Sequence, residues 1–556
     1  MHNSGMNERT FAGVHQLSLR SIIIGAIGSL IITASSMYIA LRMGALPWPT
    51  IFVAVLSMAL LKMLGKTTQN EINITQTGMS AGAMVAGGLA FTIPGLWILG
   101  IWNGAEALEQ HFWKVLAIAF SGMILGSILT WYLRPKFVEE DNLPYPIGAA
   151  AAETIITGDA GGKKSAVLFG TMGFSAVFTL LRDSLGWIPG ALSSKWLYAK
   201  NIFAGIWLSP MAVGIGYMIG SLYTGVWFLG GVISYLLIIP LGVLLGIFSS
   251  VDAASAFKNT AGIGLMVGTG IGILISYIIS AVKKGKEKGN STTASGNKNI
   301  RNSGHSGKKI NFLITIISTG IAFVLSVVSG LNVVPSILLI AGVFLASTMA
   351  ATITGQTGIN PMEIFGIIIL LAVRLFVEVD ATGAFFIAAC VAVACGYAGD
   401  LLNDYKTGQV LGTNPVAQLI SQVVGGIVGT VVASLSMFAI INQFGGVGPD
   451  KGLTAAQAFA VSQMVDGIGD PAVFAVAAAI GVLFYLLKVP SMTLGIGLYL
   501  PFEITTAVFL GGLIRLVTDR FYSKVSDSGN VAASGFLGGE GITGVTVAII
   551  KMIIGG

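Results

Sequence analysis

Long apolar runs separated by short polar connections follow one another along the whole chain. The predicted membrane spans are 21–41, 47–64, 74–101, 114–133, 165–182, 201–220, 222–248, 259–282, 310–330, 333–353, 362–378, 383–401, 415–441, a broken pair within 455–488, 492–517 and 531–552. Each run has close to, or more than, the ~18 residues that cross about 30 Å of hydrocarbon as a helix. The pattern predicts an all-α polytopic membrane protein with about 16–17 transmembrane helices, accompanied by re-entrant half-helices.

One proline-rich segment is too short to be a span. Residues 143–156 contain Pro144 and Pro146, and Pro146 suits the first turn of a helix. We expect a re-entrant half-helix here, whose N-terminal amides are suited to bind an anionic group.

Residues 283–309 interrupt the apolar pattern with Gly, Ser, Asn and Thr, eight lysines and arginines and a single glutamate. Such a segment cannot bury a core, so it is predicted to be a disordered linker, and its charge places it on the cytoplasmic side. The same rule places an N-terminal tail, 1–20, in the cytoplasm, followed by a first helix that is retained.

Two glycine patterns recur in the same order on both sides of this linker. They are Val213-Gly-Ile-Gly216 with Trp227-Phe-Leu-Gly-Gly-Val-Ile233, and Leu494-Gly-Ile-Gly497 with Val508-Phe-Leu-Gly-Gly-Leu-Ile514. We therefore predict one repeat at 21–282, a connecting helix at 310–332 and a second repeat at 333–556. The connecting helix would invert the second copy. Inverted repeats with broken helices around a central site are typical of secondary transporters.

Composition agrees with a membrane protein and excludes several functions. The chain is 54% hydrophobic and 10% charged, with a mean hydropathy of +0.85, whereas soluble domains have about a quarter charged residues. The net charge of +6 is concentrated in loops, so it reports topology and not nucleic-acid binding. The two cysteines and four histidines form no metal-ligand pattern. Walker A and nucleophile-elbow motifs are missing, which argues against ATP hydrolysis and against an enzyme.

A row of polar residues interrupts the third apolar run. Asn73, Thr77 and Ser80 share one helical face with Gln76 beside them, and small residues follow. A polar face at membrane depth must point into a bundle or a wet cavity. We predict that these four residues line a substrate path; the alternative is that they are satisfied groups in a helix interface.

Three carboxylates lie where helices are predicted to start or break: Glu153, Asp466 and Glu503. A carboxylate whose charge is poorly solvated takes up a proton more readily, so each is a candidate for proton coupling. The alternative is a carboxylate that caps a broken helix or pairs with a neighbour. An intramembrane aspartyl protease would need aspartates on facing helices, which Asp466 and Asp470 on one helix do not provide.

Several stretches together resemble one transporter family. They are Gln76-Thr-Gly-Met-Ser-Ala-Gly82 with Ala86-Gly-Gly-Leu-Ala-Phe-Thr-Ile-Pro94, Asn142-Leu-Pro-Tyr-Pro-Ile-Gly148 with Ala152-Glu153, Gly399-Asp-Leu-Leu-Asn-Asp-Tyr-Lys-Thr-Gly-Gln-Val-Leu-Gly412, and Gly497-Leu-Tyr-Leu-Pro501 with Phe509-Leu-Gly-Gly-Leu-Ile-Arg515. In this combination and order the chain resembles the oligopeptide transporter family, in its prokaryotic branch, over roughly 21–519.

The resemblance implies a symporter in the inner membrane of a prokaryote that takes up small peptides, or metal chelates. Transport would be driven by the proton gradient, without a cofactor. The substrate path would also include Tyr145 and Glu153 in the first proline segment, and Tyr499 and Glu503 in the second. A homo-oligomer is compatible with this interpretation. Eukaryotic members carry Asn-Pro-Gly and Lys-Ile-Pro-Pro-Arg motifs. Here Asn360-Pro-Met and Thr413-Asn-Pro-Val-Ala417 stand nearest to them, so long peptides are not implied, and glutathione-like peptides and metal chelates both stay open.

Overall fold

Helices make up almost all regular structure of the residues that the computed structural model describes, which are 10–43, 49–103, 106–160, 162–290, 305–358, 360–448, 451, 453–466, 470–522 and 526–554. The helices are α1 Leu19–Met43, α2 Pro49–Met63, α3 Gln69–Ala90, α4 Gly95–Ile98, α5 Glu106–Arg134, α6 Pro146–Ala160, α7 Gly162–Thr179, α8 Lys195–Tyr198, α9 Pro210–Ile219, α10 Ser221–Val232, α11 Ile239–Leu244, α12 Val251–Asn290, α13 His305–Val328, α14 Val333–Thr357, α15 Met362–Arg374, α16 Ala381–Leu411, α17 Pro415–Gln443, α18 Ala456–Asp466, α19 Pro471–Leu486, α20 Ser491–Tyr499, α21 Phe502–Phe521 and α22 Ser526–Ile554. Three π-helical segments, Pro135–Glu140, Leu180–Ser184 and Ile233–Ile238, extend α5, α7 and α10. Four short strands, β1 Thr10–Phe11, β2 Val14–His15, β3 Ala191–Ser193 and β4 Gly205–Trp207, form two antiparallel hairpins.

Side chains and prolines set many helix starts. Thr68 accepts a hydrogen bond from the amide of Glu71 at α3, and Asp470 accepts from two amides of α19. Prolines occupy the first turn of α9, α17 and α19, where no amide hydrogen is needed. Asp470 is therefore a helix cap, which is the structural role considered above as the alternative to proton coupling for a carboxylate at a helix break.

Within the described residues, eight helical stretches are long and apolar enough to cross a membrane, and four shorter apolar helices accompany them. The eight are α1, α3 with α4, α5 with its π-helical extension, α7, α10 with α11, α14, α16 and α17. The prediction of an all-α polytopic membrane protein is thereby confirmed.

The helices pack as two bundles. In the first, α16 lies between α3, α5, α14, α15 and α17, and α1 packs on α3 and α17. Every residue of α16 from Gly383 to Gly408 is buried. In the second bundle, α22 packs on α7 and α9, α12 packs on α19 and α20, and α10 and α21 join them. Both bundles take helices from both halves of the chain.

Glycines bring the backbones of α3 and α17 together. A Cβ atom on Gly425 would lie 1.9 Å from the carbonyl oxygen of Gly78, and one on Gly429 would lie 2.2 Å from the Cα of Gly82. Real Cβ atoms do not approach other atoms so closely, so larger residues cannot occupy these positions without moving a helix. Gly78 and Gly82 are thus helix-packing residues, while their polar neighbours require a separate explanation.

Helix pairings in the two halves correspond. The pair α1–α3 corresponds to the pair α14–α16. In the same way, α7–α22 corresponds to α19–α12, and α9–α21 corresponds to α20–α10. Helix α13 stands outside this scheme, at the place of the predicted connecting helix. These pairings are compatible with the predicted duplication; the duplication and the orientation of the two copies both stay predictions.

Three sequence-based boundaries were wrong. The span predicted at 201–220 is helical only from Pro210, because residues 205–207 pair with β3 and Ser209 caps the new helix. The span predicted at 492–517 is two helices, since Leu500 is extended before Pro501. The predicted linker is shorter than 283–309, because α12 continues to Asn290 and α13 begins at His305; residues 291–304 lie outside the described ranges.

The predicted N-terminal tail is also partly ordered. Gln16 accepts a hydrogen bond from the amide of Asn414, and Ser18 and Arg20 both donate to the Glu71 carboxylate. These contacts fix residues 10–20 against the starts of α3 and α17.

Cysteine labelling tests the predicted orientation. Asn103→Cys is expected to react from outside the cell, while Ser303→Cys and Lys524→Cys are expected to react only from the cytoplasm. Both native cysteines, Cys390 and Cys395, are 0% exposed, so they should give little background. Labelling of Ser303→Cys and Lys524→Cys from opposite faces would contradict the inverted repeat.

Candidate functional site

The polar face predicted on α3 meets an aspartate of α16. Asn73, Gln76, Thr77 and Ser80 are at most 1% exposed, and Asp404 is 0% exposed. Gln76 Nε2 donates to Asp404 Oδ1 at 2.8 Å, and Asn73 Nδ2 donates to the Asp404 carbonyl at 3.3 Å. The predicted face thus lies inside the first bundle, where it meets an ionisable group.

Helix α17 completes this group, which we call the Asp404 cluster: Asn73, Gln76, Thr77, Ser80, Asp404 and Gln418. Gln418 Nε2 donates to the Asp404 carbonyl at 2.9 Å and to Thr77 Oγ1 at 3.1 Å. Next to it, the Tyr405 hydroxyl donates to Gln422 Oε1 at 2.9 Å. The cluster therefore joins three helices through side-chain amides that donate to the carboxylate or the backbone carbonyl of one aspartate.

Two further carboxylates lie close by. Asp400 precedes Asp404 by one turn, and Asn360 Nδ2 donates to Asp400 Oδ2 at 2.8 Å. Glu363, 9% exposed, lies in the first turn of α15, within electrostatic range of Asp400. No lysine or arginine in the described part of the chain lies within ion-pair distance of these three carboxylates. Buried carboxylates without a counter-charge are costly, so they indicate function.

Hydrogen-bonding capacity is also unused around the carboxylates. Among the described side chains, the atoms Asp400 Oδ1, Asn360 Oδ1, Asn403 Nδ2 and Gln422 Nε2 are buried without a protein partner. Such groups pair with water or with a ligand in most proteins. Both donors and acceptors are thus available beside the Asp404 cluster.

The segment predicted at 143–156 forms α6, Pro146–Ala160, which begins at Pro146 as expected; that it is re-entrant stays a prediction. Its 15 residues extend roughly 22 Å, too short to cross the hydrocarbon core. The amide of Gly148 donates to Asn403 Oδ1 at 3.1 Å, and Thr407 Oγ1 donates to the Gly148 carbonyl at 2.8 Å. The N-terminal end of α6 is therefore attached to α16, and the amide of Gly148 is used by the protein itself.

Tyr145 and Glu153, the two predicted site residues of this segment, have different surroundings. Tyr145 is 0% exposed, and its hydroxyl donates to the Ala351 carbonyl at 2.8 Å. This contact accounts for Tyr145 as a packing residue. Glu153 is half-buried on α6 and accepts a hydrogen bond from Thr157 at 3.1 Å.

Glu503 and Tyr499 lie in the second bundle, at the break between α20 and α21. Tyr198 of α8 donates its hydroxyl to Glu503 Oε1. Tyr499 donates to the Ala456 carbonyl at 2.8 Å and lies within electrostatic range of Glu363. The predicted site residues of α3 and those at this break therefore lie in different bundles. The side chain of Asp466 lies outside the described residues.

A basic residue at the same break was not among the predicted site residues. Lys258 of α12, 3% exposed, donates to the carbonyls of Leu498 and Tyr499, both at 3.1 Å. In the same bundle, buried Arg182 pairs with Glu540 at 2.8 Å, and the amide of Met211 donates to Glu540 at 2.9 Å. The ion pair joins the π-helical end of α7 to α22, and the bond from Met211 joins α9 to the same glutamate.

No described group of three or more His, Cys, Asp or Glu residues is arranged to hold a metal ion. The cluster thus offers hydrogen bonds and carboxylates, and not a preformed site for a free transition metal.

Comparison with known proteins agrees with these features. A protein of Haemophilus influenzae named "Putative oligopeptide transporter" is 26% identical over 92% of each chain. A protein of Saccharomyces cerevisiae with the same description is 27% identical over 43% of this chain and 36% of its own length. The model of the family described as OPT oligopeptide transporter protein matches residues 16–551. The chain belongs to the OPT oligopeptide transporter family.

Proposed function

We propose that this protein is a secondary active transporter that imports small peptides together with protons across the inner membrane of a prokaryote, and that the Asp404 cluster is its coupling site. The names of the two relatives support a peptide substrate. The main support for proton coupling is the set of Asp400, Asp404 and Glu363, which are buried and lack an ion-pair partner among the described residues.

These carboxylates suit proton coupling because the free energy of charging them depends on whether a positively charged group lies beside them. With Gln76 as a neutral donor to Asp404, the neutral and the charged form of the carboxylate can both be hydrogen-bonded. A cationic peptide amine entering beside Asp400 would supply the missing counter-charge. The side-chain NH2 groups of Asn403 and Gln422, which lack a partner, could donate to peptide carbonyls, and Asn360 Oδ1 could accept from a peptide amide. Binding of the substrate and binding of a proton would then depend on the same three carboxylates.

The location of the three carboxylates near the boundary between the bundles supports their assignment to proton coupling. Asp400 and Asp404 lie on α16 of the first bundle, while Glu363 lies on α15, which contacts both α16 and α12 of the second bundle. Transport in repeat-built carriers involves movement of one bundle against another around a central site. Carboxylates beside such a boundary are suited to sense that movement.

Uptake by proteoliposomes under an imposed pH gradient tests the proposal. The panel consists of labelled di- and tripeptides including glutathione, with iron or nickel supplied on a chelator as the competing substrate class. Peptide accumulation that a protonophore abolishes is the expected result. Accumulation of the metal chelate alone would identify a chelate carrier, and failure of folded protein to accumulate any of them would contradict the proposal.

Glu503→Gln is expected to reduce proton-driven uptake severalfold, because the amide keeps the shape of the side chain but cannot carry a proton between states. Tyr198 can still donate to the amide oxygen, so the break between α20 and α21 should stay intact. The measurement is the initial uptake rate at several pH gradients, and Glu153→Gln is measured in the same way. Glu139→Gln is the control, because Glu139 is a surface carboxylate paired with Arg134. Unchanged rates for both Glu503→Gln and Glu153→Gln would remove these residues from coupling.

A further inference from the structure

The end of α20 carries backbone carbonyls that its own helix cannot satisfy. The helix stops at Tyr499, Leu500 is extended, and Pro501 has no amide hydrogen to donate. The last carbonyls of a helix carry partial negative charge, which favours a cation. In membrane carriers, carbonyls freed at broken helices are places where alkali ions bind.

Lys258 supplies the cation at this position. Its ammonium group donates to three oxygens: Asn259 Oδ1 at 2.9 Å and the carbonyls of Leu498 and Tyr499 at 3.1 Å. An ammonium group has three hydrogens, so this set uses all of them. The ring of Tyr235 lies 4.4 Å from Nζ and adds a cation–π contact.

The oxygens around the Lys258 ammonium are held in place by further contacts. Ser234 Oγ donates to the Leu498 carbonyl at 2.7 Å, which leaves that oxygen held by both a hydroxyl and the ammonium. Lys258 is buried, and none of its described partners is a carboxylate. Neutral oxygens around a positive charge are the ligand type of hard cations. Because every ammonium hydrogen is used, the group is not available to bind a substrate carboxylate without breaking this arrangement.

We propose that the Lys258 ammonium occupies a monovalent-cation site at the C-terminal end of α20, so that the chain carries its own cation where a dissolved Na⁺ would otherwise bind. Removing the ammonium while keeping the carbonyls should turn this position into a Na⁺ site. The inference does not depend on the proposed substrate or on proton coupling, because it is tested by stability and ion binding.

The test compares wild type, Lys258→Ala and Lys258→Gln as full-length purified protein, by thermal unfolding in NaCl, methylammonium chloride and choline chloride at equal ionic strength. Lys258→Ala is expected to have a Tm several degrees lower in choline, and to recover in Na⁺ and in methylammonium. Wild type should show no difference between Na⁺ and choline. Lys258→Gln, whose amide can donate to the same carbonyls, should be destabilised and insensitive to Na⁺.

Binding of radioactive Na⁺ gives a second measurement. Lys258→Ala should bind it saturably, whereas wild type and Lys258→Gln should not. Equal responses of all three proteins to Na⁺, or a Lys258→Ala protein that neither Na⁺ nor methylammonium stabilises, would overturn the proposal. Instability of Lys258→Ala in every salt would count against it too, because no free cation would then replace the ammonium.

Discussion

Asp404→Asn is expected to lower proton-driven peptide uptake by at least about tenfold, a loss of roughly 1.4 kcal/mol in coupling, while the protein still folds. Asparagine has the shape of aspartate, and its amide oxygen can accept the hydrogen bond from Gln76 Nε2. What it cannot do is gain and lose a proton. The buried position also loses an uncompensated negative charge, so stability should be unchanged or higher.

Two transport modes separate coupling from binding in this variant. Uptake against a concentration gradient should fail, whereas exchange of labelled for unlabelled peptide at equal pH should persist, because exchange needs no net proton movement. Asp519→Asn is the matched control, since that carboxylate is 47% exposed and paired with Arg515. Normal concentrative uptake by Asp404→Asn would exclude Asp404 as the coupling group.

Gly425→Ala is expected to destabilise the protein by about 3 kcal/mol or more, because the added methyl group would overlap the backbone of α3. The new Cβ would lie 1.9 Å from the Gly78 carbonyl oxygen, and backbone cannot move aside as a side chain can. Since α3 and α17 both hold the Asp404 cluster, the cluster should be lost with the contact.

Gly320→Ala on α13 is the matched control, because no atom lies within 4 Å of the Cβ it would add. In a helix this change should be neutral or stabilising by up to about 1 kcal/mol. The measurement is the yield of monodisperse protein in size-exclusion chromatography together with its Tm. Wild-type yield and Tm for Gly425→Ala would show that the two helices do not approach as closely as described.

The sequence was sufficient to predict the polar face of α3 and the start of a helix at Pro146. Both signals are local: four polar residues on one helical face, and a proline that starts a helix. The partner of that face could not be predicted, because Asp404 lies in a different helix and no sequence periodicity connects them.

Span boundaries explain why the most informative ionisable residues were missed. The predicted spans stopped at 401 and started at 259, so Asp404 and Lys258 fell just outside them. Hydropathy ends a span where charge begins, yet α16 continues to Leu411 and α12 starts at Val251. A hydropathy rule that finds spans by their lack of charge therefore overlooks charged residues that are buried within the helices. The signal was present in Asp400, Asn403 and Asp404, which share one helical face.

The joining of distant helices in the Asp404 cluster has a consequence for how the protein is made. Gln76 and Asp404 are 328 residues apart, so α3 leaves the translocon long before α16 has been synthesised. During that interval its polar side chains lack their partners on α16 and α17, so we expect water, lipid headgroups or an insertion chaperone to solvate them. The step at which the ribosome releases α17 is therefore the earliest at which the cluster can assemble, and chains truncated before it should be recognised by membrane proteases as unfinished.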